Sequence, residues 1–233
     1  MRIFIFVLTA IMFPFSAWAQ GENASLVGIK RLIVTSDVSV YVGSNGDLAM
    51  RPVVTAGALE DFVIDLRGDA LHLSRNASSA SASDEVIVWL RSPSLEYVEA
   101  SSGGHIILSD IRGAEVSVRS LTGGFIEARG VEVGTISIVS STGGDVKIDG
   151  TCARLTARAD QGGLIHADHL RCGIVKAEAT NGALLRAFAI DQADLVAKRG
   201  ATLVLSGTAE VTSQVKESWA VMRVWAKPME EAG

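Results

Sequence analysis

The chain has 233 residues, with 21 basic side chains against 26 acidic ones and a formal net charge of −5. A mildly acidic chain without a basic stripe does not suit nucleic acid or an anionic membrane surface. Aromatic residues make up only 6 % of it and glycines number 23. Such a composition favours thin, regular β-structure with small stacked side chains over a bulky globular core.

The first 19 residues carry Arg2, an apolar run from Ile3 to about Phe15, and Ala17-Trp18-Ala19. This is the charged, apolar and small-x-small layout of a secretory signal peptide, with cleavage expected after Ala19. The rival reading, a retained anchor, fits less well. The apolar core is short for a spanning helix of roughly 20 residues, and it contains Pro14. No cysteine stands directly after the cleavage site, which argues against a lipoprotein. The expected mature protein therefore runs from Gln20 to Gly233 in an exported, oxidising compartment, periplasmic or at the cell surface.

Residues 20–94 read as irregular first coils that cap one end of a repeat array. Segments 32–34, 38–42, 53–54, 62–66, 71–73 and 86–90 are strand-like, with turns at 43–47 and 67–69 and a small-residue loop at 76–83. The regular array follows over 95–217. SSGGHI (101–106), LTGGFI (121–126) and STGGDV (141–146) repeat a glycine pair at one spacing, as Gly103-Gly104, Gly123-Gly124 and Gly143-Gly144. Gly162-Gly163, Asn181-Gly182 and Gly200 continue the series at slightly shorter intervals. A fixed period of this length is the mark of a solenoid.

Within each repeat the pattern has period two. Ile106 and Leu108, Ile126 and Ala128, Val146 and Ile148, and Ile165 and Ala167 alternate with mixed residues after the glycines. Val116 and Val118, Ile136 and Ile138, and Leu155 and Ala157 do so before them. Each coil is thus expected to carry two short strands. A glycine corner joins them, and a second corner (Arg112-Gly113, Arg129-Gly130, Asp149-Gly150) leads onward. Glycine suits the first corner because it takes positive φ without a Cβ clash and leaves room for the corners above and below. Six coils at about 4.8 Å each would rise on the order of 29 Å. An antiparallel barrel or sandwich is the competing architecture. It fits less well because hairpins favour Asn-Gly or Asp-Gly at every junction, whereas the two corners here differ consistently. The Leu-x-x-Leu-x-Leu pattern of leucine-rich repeats is absent. The last segment, 218–233, is read as a capping strand and tail, because a bare terminal coil exposes a free strand edge.

Several stretches resemble one family. GIKRLIVTSDVSVYVGSNGDLAMRPVV (28–54), DFVIDLRGDALHLSR (61–75), VIVWLRSPSLEYVEASSGG (86–104) and above all STGGDVKIDG (141–150) look like the bacterial head GIN domain proteins, a group of adhesin-like β-helix proteins. The resemblance implies an exported, all-β, single-stranded right-handed parallel β-helix with no catalytic residues to carry over. The sequence departs from the family pattern at most corners, where His105, Phe125, Leu164 and Ala183 stand near the position of an Asp or Asn. It departs again at its end, SWAVMRVWAKP (218–228).

Cys152 and Cys172 lie one period apart. If the coils stack in register, their Cα atoms fall about 5 Å from each other, within reach of a disulfide. An oxidising compartment favours that bond over two free thiols in an internal ladder. His166, His169, Asp168 and Asp160 cluster in sequence, but zinc needs three or four converging ligands, and a solvated corner is the simpler reading. Parallel β-helices also include polysaccharide lyases and hydrolases. The outward column Glu127, Lys147, His166 mixes signs, however, and the repeats hold few aromatic platforms. No phosphate-cradling loop or Ser-His-Asp layout occurs, and no cofactor is implied. The expected function is binding or structural, with a protein or glycan partner; a polysaccharide-active enzyme and a scaffold that self-assembles through the solenoid's ends or faces are the alternatives.

Overall fold

The computed structural model describes residues 28–43, 49–54, 62–75, 86–92 and 95–226. The expected signal peptide, the loop at 76–83, the turn beyond Gly43 and the tail after 226 lie outside these residues. Among the described residues, sixteen strands form one continuous sheet. They are β1 (Arg31–Thr35), β2 (Val38–Gly43), β3 (Ala49–Val54), β4 (Phe62–Arg67), β5 (Ala70–Arg75), β6 (Val86–Arg91), β7 (Tyr97–Ser101), β8 (His105–Ser109), β9 (Arg112–Leu121), β10 (Phe125–Ser141), β11 (Asp145–Asp160), β12 (Leu164–Ala179), β13 (Leu184–Ala197), β14 (Thr202–Gly207), β15 (Glu210–Lys216) and β16 (Val221–Ala226). From β7 onward every pairing is parallel, with each strand lying on its counterpart one coil away. The fold is a β-solenoid, and residues about 20 apart are axial neighbours, as the period predicts.

The inside is filled by columns of side chains set by that register. Ile106, Ile126, Val146, Ile165, Leu185 and Leu203 stack in one column, and each is at most 0 % exposed. Val116, Ile136, Leu155, Val175 and Ala193 form another. A third begins with Ser120 and Ser140 and continues as Ala159, Ala179 and Ala197. The two serines are buried, yet each hydroxyl donates to a corner carbonyl, Ser120 to Gly124 at 2.6 Å and Ser140 to Gly144 at 2.7 Å. A buried hydroxyl costs little once it has such a partner.

Two features differ from the sequence expectation. First, a coil has three apolar runs. In β10 the buried positions are 126 and 128, then 131 and 133, then 136, 138 and 140. The same phase breaks recur in β12, at 165 and 167, 170 and 172, and 175, 177 and 179. Each break reverses the inside-outside alternation, so the chain bends without leaving the sheet. The expected second corner at Arg129-Gly130 and Asp149-Gly150 is such a bend inside a continuous strand, marked by a register shift between Ala128 and Val131. A further bend falls at Gly134-Thr135. A Cβ on Gly134 would lie 2.7 Å from the Ala114 carbonyl, and one on Gly173 would lie 3.1 Å from that of Ala153. Small residues stand there for room.

Second, the early coils do not stack in chain order. β1 lies between β5 and β7, and β2 between β6 and β8. The first segment of the chain is therefore sandwiched, while β5 and β6 form the layer beyond it. β3 and β4 then cover that layer by antiparallel pairing with β6 and β5. Ser36 and Asp37 make the corner of the sandwiched coil with φ of 60° and 57°. That corner has no glycine and so gave no signal in the repeat.

The glycine corners have a division of labour, clearest at Thr142-Gly143-Gly144. Thr142 and Gly143 both take left-handed backbone, φ 53° and 74°, and the Gly144 amide donates to the Ser141 carbonyl at 3.0 Å. Two consecutive left-handed residues closed by this bond make the tight primed-type turn. Gly143 has open space around it, whereas a Cβ on Gly144 would stand 2.2 Å from the Ser120 carbonyl oxygen. Gly104, Gly124 and Gly163 meet the preceding coil in the same way, at 2.4, 2.2 and 2.3 Å. Gly103, Gly123, Gly162 and Gly182 share the positive φ of Gly143.

Candidate binding face

The strands that follow each tight corner make one long flat face. Its outward positions come from β6, β2, β8, the first residues of β10, β11, β12 and β13, and then β14 and β16. The register sets one row as Trp89, Tyr41, Ile107, Glu127, Lys147, His166 and Arg186. The parallel row carries His105, Phe125, Asp145, Leu164 and Leu184. The mixed-sign column expected from the sequence is thus real, but it is only half of the face. The N-terminal end of the face is aromatic instead. Tyr41 and Trp89 stack with ring centroids 4.7 Å apart, and Trp89 is 54 % exposed. His105 meets Phe125 edge-on at 4.6 Å, and the Lys147 ammonium lies 5.1 Å from the Phe125 centroid. Because Tyr41 and Trp89 stack along the coil axis at the strand spacing, they stand upright on the sheet. Sequence reading missed this strip because Tyr41 and Trp89 belong to the irregular coils. Nothing in their local sequence says that they border Ile107.

Where the early coils meet the first regular one there is a groove of about 650 Å³, lined among others by Lys30, Arg31, Asp69, Glu96, Tyr97 and Arg112. Two of its cations are engaged by carboxylates, one of them outside the groove. Lys30 bonds Glu96 at 2.7 Å, and Arg112 lies 3.4 Å from Glu132. The hydrogen bond and charge of Glu96 hold the Lys30 ammonium pKa above its usual value. The Arg31 guanidinium covers the Tyr97 ring at 4.8 Å. Burial first, then its hydrogen bond to Glu99, pushes the Tyr97 phenol up, so it remains a neutral donor.

The sequence-predicted polar residues are placed as follows. His166 Nε2 lies 4.0 Å from Asp145, and His169 Nε2 lies 4.0 Å from Asp168. Among the described residues no group of three or more His, Cys, Asp or Glu could hold a metal ion. Asp160 instead has a structural task. It accepts hydrogen bonds from Thr180 Oγ1 at 2.7 Å, Asn181 Nδ2 at 2.6 Å and its neighbour Gln161 N at 2.9 Å, tying one tight corner to the next. Cys152 and Cys172, in register on adjacent coils, are joined as a disulfide with Cα atoms 4.5 Å apart.

The Asp160 bonds, that from Thr180 foremost, hold its carboxyl below the ordinary 3.8 against the smaller opposing effect of burial. A carboxyl with a depressed folded pKa contributes stability that is full above its unfolded value and is lost as pH falls through the folded one. Asp160→Ala is accordingly expected to cost about 1 kcal/mol near neutrality, a modest figure because the corner is solvated. Urea midpoints measured from pH 7 down to 3 should show the variant's deficit shrinking below about pH 4.

These observations define a class: a parallel β-solenoid with stapled coils, one long face that is aromatic at its N-terminal end and mixed in character beyond it, and a shallow groove lined by charged residues. The family described as "Putative auto-transporter adhesin, head GIN domain" matches residues 30–209, and the chain belongs to it. Among solved structures, the fold is similar to that of a putative adhesin from Bacteroides fragilis NCTC 9343. That match has a TM-score of 0.73 at 16 % identity and covers 85 % of this chain and 92 % of that one. A putative adhesin from Parabacteroides merdae ATCC 43184 is similar at TM-score 0.64 and 12 % identity, covering 84 % and 91 %. A putative lipid binding protein from Parabacteroides distasonis ATCC 8503 is similar at TM-score 0.62 and 14 % identity, covering 84 % and 92 %. No curated protein matched the chain. No helix among the described residues is long and apolar enough to cross a membrane.

Proposed function

We propose that the protein is an exported, non-catalytic binding module of the bacterial cell envelope, adhesin-like, that engages a protein or glycan partner through the aromatic end of its long face. The observation that carries this reading is the strip of Trp89, Tyr41, Ile107, His105 and Phe125, assembled from three separate parts of the chain, with Trp89 half exposed. A large exposed ring flanked by charge is the composition of a recognition surface. The family supports the adhesin-like role. Export draws support from the signal-like N-terminus and from the Cys152–Cys172 bond, which persists in oxidising compartments. A polysaccharide-cleaving role would need two carboxyl groups bracketing a sugar bond at about 5–10 Å. Of the carboxylates that line the groove, Asp69, Glu96 and Glu115, Glu96 is held by Lys30.

The test uses the tagged full-length chain in a Gram-negative host. Fractionation is expected to place it outside the cytoplasm, and cross-linking should capture a partner. Trp89→Ala with Tyr41→Ala should reduce that capture at least about tenfold, as loss of an aromatic anchor does, with the circular dichroism unchanged. Cytoplasmic retention would overturn export, and undiminished capture would overturn the site.

A further inference from the structure

The two ends of the solenoid are finished differently. At the N-terminal end the outer strands are β3 and β4, which among the described residues pair on one side only, with β6 and β5. β3 contains Pro52, which has no N–H to offer, and β4 carries the Asp65–Arg67 ion pair at 2.6 Å. Proline and charge on an outer strand both discourage further pairing. At the other end β16 pairs with β14 alone, in unbroken register from Val221 to Ala226. It has no proline and a single charge, Arg223. Met222 and Val224 pack against the end of the core, while Val221 and Trp225 are 42 % and 66 % exposed. β16 is a regular, largely apolar strand whose second edge has no partner among the described residues.

The alternation of β16 makes this edge complementary to itself. Arg223 and Trp225 project outward, and Met222 and Val224 project inward. In an antiparallel pair of two copies centred on Val224, Arg223 of each copy stands directly opposite Trp225 of the other, and the two Val224 side chains meet over the joined cores. Directly opposed side chains share a face and touch, and a guanidinium against an indole is the strongest ordinary cation–π pair. Centring the pair on Arg223 would instead oppose two like charges. We propose that β16 joins a second copy of this chain in that register, giving a two-fold dimer in which the sheet runs through both solenoids. An isologous contact of this kind closes after two copies and makes no fibre. It would also place the two aromatic binding strips at opposite ends of the assembly, able to act bivalently.

Sedimentation equilibrium on the full mature chain over a range of concentrations, with circular dichroism to confirm folding, tests both the dimer and its register. The wild type is expected to associate reversibly to a dimer. Trp225→Lys sets a lysine against Arg223 of the other copy and should weaken association at least about a hundredfold, whereas Trp225→Glu substitutes an ion pair there and should retain it with new salt sensitivity. Arg223→Ala provides a milder check should a lysine at position 225 disturb the strand, and should weaken the dimer about tenfold. A wild type that stays monomeric at every concentration overturns the proposal. So does equal loss in Trp225→Lys and Trp225→Glu, which would mark a contact indifferent to this register. Growth beyond the dimer would also overturn it, because the contact would not be two-fold.

Discussion

Gly144→Ala is expected to destabilise the protein by about 3 kcal/mol or more, while Gly143→Ala, one residue away, costs only about 1–2 kcal/mol. The two glycines meet different constraints. At Gly143 a methyl group finds open space, so the cost is the left-handed backbone alone, φ 74°. The neighbouring Thr142 already bears a comparable φ of 53°. At Gly144 the new Cβ would stand 2.2 Å from the Ser120 carbonyl oxygen and 2.6 Å from its carbon. Neither is a side-chain tip that can swing aside. The coil spacing is fixed by parallel hydrogen bonds on both sides, including Asp145 N to Gly124 O at 3.0 Å and Leu164 N to Gly144 O at 2.9 Å. Relief therefore requires prising two coils apart. Since a solenoid is held by nearest-neighbour interfaces, the variant should also lower hydrogen-exchange protection most in the coils flanking residue 144. Urea unfolding of the two variants side by side decides the matter. Equal losses would mean that the corners tolerate a side chain facing the coil below, and the packing argument would fail.

Reduction of the Cys152–Cys172 bond is expected to lower stability by about 3 kcal/mol, the chain-entropy value for a loop of this length. The bond closes a sequence separation of 20 residues, one coil, and so holds two layers in register even when neighbouring layers have opened. Cys172 is fully buried and Cys152 nearly so, at the level where Val133 and Ala189 continue the column. The double variant Cys152→Ala with Cys172→Ala should lose slightly more than reduction does, because two sulfur atoms leave a void. Unfolding curves of the oxidised, reduced and double-alanine proteins make the comparison. Superimposed oxidised and reduced curves would show that the bond constrains nothing the stack has not already ordered.

Much of this was legible because a solenoid turns sequence separation into distance. The recurring glycine pair announces a corner, the period-two alternation announces a half-buried strand, and Cys152 and Cys172 one period apart become neighbours. The bend at Gly134-Thr135 was less legible, since a break in alternation without a turn motif looks like noise. Its trace is the column Ala114, Gly134, Ala153, Gly173, where small residues recur one coil apart and the two glycines face the backbone of the coil before them. The corner at Ser36-Asp37 lacked even that, because two non-glycine residues take the left-handed backbone there.

By itself the sequence determined the repeat, two of the three inward runs of a coil and the pairing of the cysteines, all of which follow from local alternation and a fixed period. Only the tertiary structure decided that β1 and β2 slide between the layers of β5–β6 and β7–β8, and with that the meeting of Trp89, Tyr41 and Ile107 on one face. The physical reason is that apolar alternating strands such as 32–34, 71–73 and 98–100 present nearly interchangeable edges. Backbone hydrogen bonds carry no residue code, so which strand lies on which is settled by packing of the whole stack.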